Sequence, residues 1–182
     1  MVQLIQNFDN YILMYIIHNM HSHIMDKTMI IITFLGNMGA IWVVISLFLM
    51  INEKYRSIGF MILGALVLNL VLGDVILKNL VKRTRPFIYM TQVQILIPKP
   101  LSYSFPSGHT SAAFASAGIL IKHFEKYTLE VIVLASLIAF SRLYLYIHYP
   151  SDVLAGVILG ILSSKITMYL FDKVKFLRPV IK

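Results

Sequence analysis

Apolar residues in this chain gather into five runs, residues 28–51, 58–80, 107–121, 129–147 and 153–171. A helix needs about 20 such residues to cross the hydrocarbon layer of a bilayer, so the pattern predicts an all-α, integral membrane bundle of five transmembrane helices. The third run is the shortest. Two short polar connections, residues 52–56 and 122–127, contrast with a long one, residues 82–106, whose Pro86, Pro98, Pro100 and Pro106 exclude one regular helix. The first 25 residues mix Asp9, Asn10, His18, His21 and His23 with Leu, Ile, Phe and Met. That is too polar for a span and predicts a helix lying in the membrane interface. It lacks the basic region and small-residue cleavage site of a signal peptide, and is read as mature protein. The expected organisation is one domain over 1–182: interfacial helix 1–25, transmembrane core 28–171 and a basic cytoplasmic tail 172–182.

Composition sharpens the class. Hydrophobic residues make up 58% and charged residues 13% of the chain, against about 45–50% and about 25% in soluble domains. A water-soluble globule, a disordered chain and a disulfide scaffold are excluded; with no cysteine, chemistry falls to His, Asp, Ser, Lys or Arg. The net charge of +8 would suggest nucleic acid in a soluble protein, but much of it lies in short connections between apolar runs, where Lys and Arg orient a bilayer protein, so no nucleic-acid partner is expected. Lys54 and Arg56, then Lys122 and Lys126, then Lys173, Lys175, Arg178 and Lys182 fall on one side if the spans alternate. That side is expected to be cytoplasmic. Residues 82–106 and the junction at His148 then face outward.

Three polar clusters lie at those outer ends. The first runs from Lys78 to Arg85 and Pro86, where a seven-residue separation, about two helical turns, predicts both cations on one face, with Asp74 one turn before Lys78 as its partner. Alone it equally fits an interfacial basic flank, the reading kept for Lys82 and Arg83. The second is Pro106, Ser107, Gly108 and His109 before an Ala-rich run. Ser107 is placed as an N-cap, and a helix start with Gly108 offers backbone N–H groups to an anion. Alone it also fits a capped helix with an incidental histidine. The third is Ser141, Arg142, then His148 and Asp152 beyond Pro150. Pro150 at a helix start puts Asp152 in the first turn, able to orient His148. Asp152 favoured by the helix dipole beside an unrelated histidine is the simpler alternative. Arg142 opposes it, because an arginine near the end of an apolar span is costly unless paired or functional. Together the clusters supply cations, neutral donors and two histidines suited to a phosphoryl group.

The spacing of Lys78 with Arg85 and Pro86, of Pro106 to His109, and of Ser141 and Arg142 with His148 and Asp152 resembles the three signature motifs of the type 2 phosphatidic acid phosphatase superfamily, which includes vanadium-dependent haloperoxidases. The resemblance covers roughly residues 30 to 171. It implies a phosphatase that needs no metal and no cofactor, with His148 as nucleophile, Asp152 polarising it and His109 as general acid and then base. Lys78, Arg85, Ser107, Gly108 and Arg142 would hold the phosphate oxygens. His18, His21, His23 and His123 match no motif, and no acidic ligand is expected beside His21 and His23 to make a metal site.

The function expected is hydrolysis of a lipid phosphate or diphosphate, undecaprenyl diphosphate foremost, in a bacterial cytoplasmic membrane with the site at the extracytoplasmic face. Phosphatidylglycerophosphate or phosphatidate is the alternative substrate, and a non-enzymatic lipid-binding or transport protein the alternative class. The haloperoxidase branch is set aside because its members are soluble and much longer. Phe87, Tyr89, Tyr103 and Phe105 in residues 82–106 are the expected substrate selectors.

Overall fold

The computed structural model describes residues 2–89, 93 and 95–173, and every described element is helical. In chain order these are α1 (Val2–Asn19), α2 (His23–Leu35), a 3₁₀ turn Asn37–Gly39, α3 (Ala40–Ile51), α4 (Arg56–Asn69), a π-helical stretch Leu70–Leu77, α5 (Lys78–Val81), α6 (Pro86–Tyr89), α7 (Gly108–His123), a 3₁₀ turn Glu125–Tyr127, α8 (Thr128–Tyr144) and α9 (Pro150–Lys173). Of the expected basic tail, residues 174–182 lie outside the described residues.

The apolar runs became helices, but three differ from their expected course. Residues 28–51 are no single span. They bend by 46° between α2 and the segment Asn37–Ile51, where Gly36 ends α2 and Met38 and Gly39 take φ of 51° and 70°. The second run continues through the π-helical stretch, whose wider turn shifts the register of every residue after it. It stops at Val81 because Lys82 turns left-handed, φ 48°. The fourth ends at Tyr144, three residues early, which frees residues 145–149 to form a turn.

Arg56–Tyr89, Glu125–Tyr144 and Pro150–Lys173 are long and apolar enough to cross a membrane, and the bent pair α2 and Asn37–Ile51 adds a fourth crossing if it is one span. α7 has 16 residues, short for a span, and packs against α4, α8 and α9 at once. Small residues make this possible. A Cβ on Gly160 of α9 would stand 2.5 Å from the Ser111 carbonyl oxygen and 2.8 Å from the Ala115 nitrogen of α7, so the two backbones touch. Phe34, Phe48, Val67, Leu80, Leu129 and Leu154 are exposed on the outside, as lipid contact requires. Where one helix was expected over 1–25, α1 ends at Asn19 and α2 begins at His23; Asp9, Leu13 and Ile16 of α1 are buried as α1 packs on α8 and α9.

Candidate active site

The turn between α8 and α9 is built around Arg142. Its carbonyl oxygen accepts from the backbone N–H of both Ile147 and His148 at 3.3 Å, so the chain folds back and buries His148. Pro150 opens α9 and puts Asp152 in its first turn, as expected. Asp152 Oδ2 lies 3.6 Å from His148 Nδ1 and accepts from the Tyr149 N–H at 3.0 Å and the Ser104 hydroxyl at 2.5 Å. On the other side of the ring, Arg85 Nη1 is 3.2 Å from Nε2. A guanidinium can only donate, so Nε2 is the acceptor and the ring proton sits on Nδ1, toward the carboxylate. Burial pushes the His148 imidazole down to about 3, and Arg85 and Arg142 add to the shift while Asp152 opposes it. The imidazole is therefore neutral at physiological pH, with a lone pair on Nε2.

Arg85 arrives by a different route from the one expected. Lys78 and Arg85 do not lie two turns apart on one helix, because α5 ends at Val81. A non-helical stretch carries Arg85 inward instead, where it donates to the carbonyls of Ser102, Tyr103 and Ile147 and to the Ser102 hydroxyl. Lys78 is buried and paired with Asp74, as expected. Gly108 lies close beside them: a Cβ there would come within 3.3 Å of Asp74 Oδ2 and 3.7 Å of Lys78 Nζ. Arg142 is buried, donates to the Thr33 hydroxyl, and keeps its Nε without a hydrogen-bond partner. His109, in the first turn of α7, has Nε2 2.9 Å from Asn37 Oδ1.

Ser107 stands at the N-cap position but makes no side-chain cap. Its hydroxyl turns to Thr110 Oγ1 at 2.9 Å, and its N–H donates to the Asp152 carbonyl at 3.1 Å. It braces the site from behind. Lys78, Arg85, Gly108, His109, Arg142 and His148 all line one cavity of about 930 Å³. Asp74 joins these cations in the lining, which also includes the apolar Phe34, Leu63, Leu66, Val67 and Leu70. From residues 82–106 its lining takes, besides Arg85, Leu96, Ile97, Pro98, Lys99, Pro100 and Ser102; the expected selectors Phe87, Tyr89, Tyr103 and Phe105 are not among them, and Phe87 packs instead against Leu13, Tyr146 and Tyr149.

Four contributors escaped the sequence reading: Arg83, Ser104, Asn37 and Asp9. Arg83, read as a basic flank, donates to Asp152 Oδ1 at 2.6 Å and to Asp9 Oδ2 at 2.7 Å. The clue was three cations packed into four residues just before a proline, more than an interface flank needs. Asn37 sat between two glycines inside an apolar run, a break signal that was available. His21 does have an acidic neighbour, Asp26 Oδ1 at 2.9 Å, yet among the described residues no group of three His, Asp or Glu is placed to hold a metal.

The sequence profile of the PAP2 superfamily matches residues 54–176. An undecaprenyl-diphosphatase of Sulfolobus acidocaldarius is 35% identical over 121 residues, 66% of this chain and 58% of that protein. Undecaprenyl-diphosphatase BcrC of Bacillus subtilis is 28% identical over 178 residues, 94% of this chain and 88% of that protein. The crystal structure of a transmembrane PAP2-type phosphatidylglycerolphosphate phosphatase of Bacillus subtilis superposes with a TM-score of 0.76 at 27% identity, covering 96% of this chain and 90% of that one. The chain thus spans less than two thirds of the Sulfolobus protein and most of the other two.

Proposed function

The chain belongs to the PAP2 superfamily, and from that premise we propose that it is a membrane lipid phosphatase that hydrolyses undecaprenyl diphosphate to undecaprenyl phosphate. The observation that carries the chemistry is His148, held between Asp152 on Nδ1 and Arg85 on Nε2 at the wall of a cationic cavity. Its neutral Nε2 attacks the terminal phosphorus. The bridging P–O bond breaks, and His109, entering as the imidazolium with Nε2–H on Asn37, gives its Nδ1 proton to the departing oxygen. Water then attacks the phosphohistidine while His109 takes its proton, and inorganic phosphate leaves with Nε2 restored. Asp152 stabilises the charge that develops on the imidazole. Lys78, Arg85 and Arg142 hold the equatorial oxygens, with backbone N–H groups at Gly108 beside them, and no step calls for a cofactor.

The substrate is supported by two relatives named undecaprenyl-diphosphatase and by the apolar residues in the cavity lining, which suit a prenyl tail. Orientation is supported by the short connections. Tyr55 and Phe124 pack at 5.4 Å, which brings residues 52–56 and 122–127 together at one end with Lys54, Arg56, Lys122 and Lys126; the cationic excess makes that end cytoplasmic. The site then opens on the extracytoplasmic face. The structural likeness to a phosphatidylglycerolphosphate phosphatase makes a glycerophospholipid the second reading. Phosphate release by purified protein in detergent, across undecaprenyl diphosphate, phosphatidylglycerophosphate, phosphatidate and a soluble ester, decides between them. The expected result is preference for the polyprenyl diphosphate, abolished in His148→Ala. Preference for a glycerophospholipid transfers the assignment to phospholipid synthesis, and release that survives His148→Ala rejects the mechanism.

A further inference from the structure

Asp9 of α1 is fully buried and precedes the stretch that matches the family profile. Its carboxylate nevertheless reaches the catalytic groups. Oδ1 accepts from the Ser151 N–H at 2.9 Å; Oδ2 accepts from the Ser151 hydroxyl at 2.5 Å and from Arg83 Nη2 at 2.7 Å. The other arm of that guanidinium, Nη1, donates to Asp152 Oδ1 at 2.6 Å and to Ser151 Oγ at 2.7 Å. Gln6 Oε1 takes a further bond from Nη2 at 2.8 Å, and the Tyr149 ring lies 3.9 Å from Arg83 Cζ.

One cation is therefore shared between two buried carboxylates. Arg83 paired with Asp152 alone would cancel the charge that His148 needs beside it as its imidazole becomes cationic. With Asp9 on the second arm, the trio keeps a net negative charge and Asp152 Oδ1 is fixed in place. Oδ2 stays directed at His148. We propose that Asp9 is a positioning residue for phosphoryl transfer, acting through Arg83 to hold Asp152 and preserve its charge, so that the amino-terminal helix is a working part of the site. This rests on the reading of His148 as nucleophile.

Asparagine at position 9 keeps the size, an acceptor oxygen and the tie to Ser151 but removes the charge. A mechanical anchor tolerates that change; an electrostatic one does not. In the full-length protein in detergent, with undecaprenyl diphosphate as substrate, Asp9→Asn is expected to lower kcat about tenfold or more with KM within about twofold. Asp9→Glu, which restores the charge, is expected to recover part of the loss. Arg83→Gln is expected to lower kcat as well, and the Asp9→Asn/Arg83→Gln pair to cost less than the product of the single losses, because both act on Asp152. Wild-type kcat in Asp9→Asn, normalised to folded protein, overturns the proposal. So does a multiplicative double variant. His148→Ala runs alongside: if it keeps activity, the nucleophile assignment fails first, whereas an inactive His148→Ala with an unaffected Asp9→Asn removes only the role of Asp9.

Discussion

Asn37 Oδ1 and His109 Nε2 meet at 2.9 Å although 72 residues separate them in the chain. The bend between α2 and α3 makes this possible, and the site depends on Gly36 there, since a Cβ would approach His109 Cδ2 to 3.0 Å. The amide carbonyl can only accept, so His109 keeps a proton on Nε2, and in the proposed mechanism the proton exchanged is the one on Nδ1. Asn37→Ala frees the ring to rotate and to change tautomer. We expect kcat to fall roughly ten- to a hundredfold, as general acid–base assistance is weakened, with partial recovery in Asn37→Gln or Asn37→Asp. Steady-state phosphate release measures this, and an unchanged kcat in Asn37→Ala removes Asn37 from the mechanism.

The buried His148 imidazole links stability to pH. Its ordinary value is 6.5 and burial holds it at about 3 in the folded protein. Between those values the unfolded chain binds a proton that the folded chain refuses, so stability is full above about 6.5 and is lost as pH falls toward 3. His148→Asn has nothing to titrate. Its unfolding temperature in detergent is expected to drop less than that of the wild type between about pH 7 and pH 4. Parallel losses in the two proteins contradict the linkage.

Which parts of the site were legible follows from how far each depends on distant chain. His148 and Asp152 are four residues apart, and one proline fixes the helix start that joins them. Lys78 and Asp74 face each other on the same helical surface. Spacing alone reports such pairs. Arg83 finds its partners on α1 and α9, 74 and 69 residues away, and Ser104 reaches Asp152 across 48; local pattern carries no trace of them. The π-helical stretch before Lys78 also defeats a count of turns. Hydrophobicity registered the run from 58 to 80 but not the left-handed turn at Lys82 that ends α5 at Val81, so the route of Arg85 was misread.

Arg142, a phosphate ligand in the proposed mechanism, lines the cavity with one Nη tied to Thr33 and with Nε lacking a hydrogen-bond partner. Vanadate, which mimics the phosphoryl group in flight, is expected to inhibit by filling that place. Lysine keeps the charge of Arg142 but not the planar fork. Arg142→Lys is expected to raise the half-inhibitory vanadate concentration about tenfold, equivalent to about 1.4 kcal/mol. Inhibition of equal strength in the variant shows that vanadate binds elsewhere.

The charges facing the phosphate belong to the chain itself. In the proposed mechanism Lys78, Arg85 and Arg142 at the cavity wall do for the oxygens what bound cations do in metal-assisted hydrolysis, and a chelator cannot withdraw them. Phosphate release in excess EDTA is expected to stay within about twofold of the untreated rate. A large loss restored by Mg²⁺ assigns part of that neutralisation to a metal.

The closeness of α7 and α9 is the fold's contribution to the site, because Ser107 on one side and Asp152 on the other are joined across it, N–H to carbonyl at 3.1 Å. Gly160 lies about two turns further along α9, where a methyl group would meet backbone rather than a movable side chain. The helices must separate to admit it, and overpacking of this kind costs about 1–3 kcal/mol. Gly160→Ala is therefore expected to lower the unfolding temperature in detergent. Because separation tilts Asp152 away from His148, it is expected to lower kcat more than KM changes. Gly64 offers the control: a Cβ there would meet only the Thr167 methyl at 3.3 Å and the Phe171 ring, contacts that yield by side-chain movement, so Gly64→Ala is expected to leave both quantities close to wild type. Equal effects from the two substitutions show that α7 and α9 are not held as closely as the backbone contacts imply.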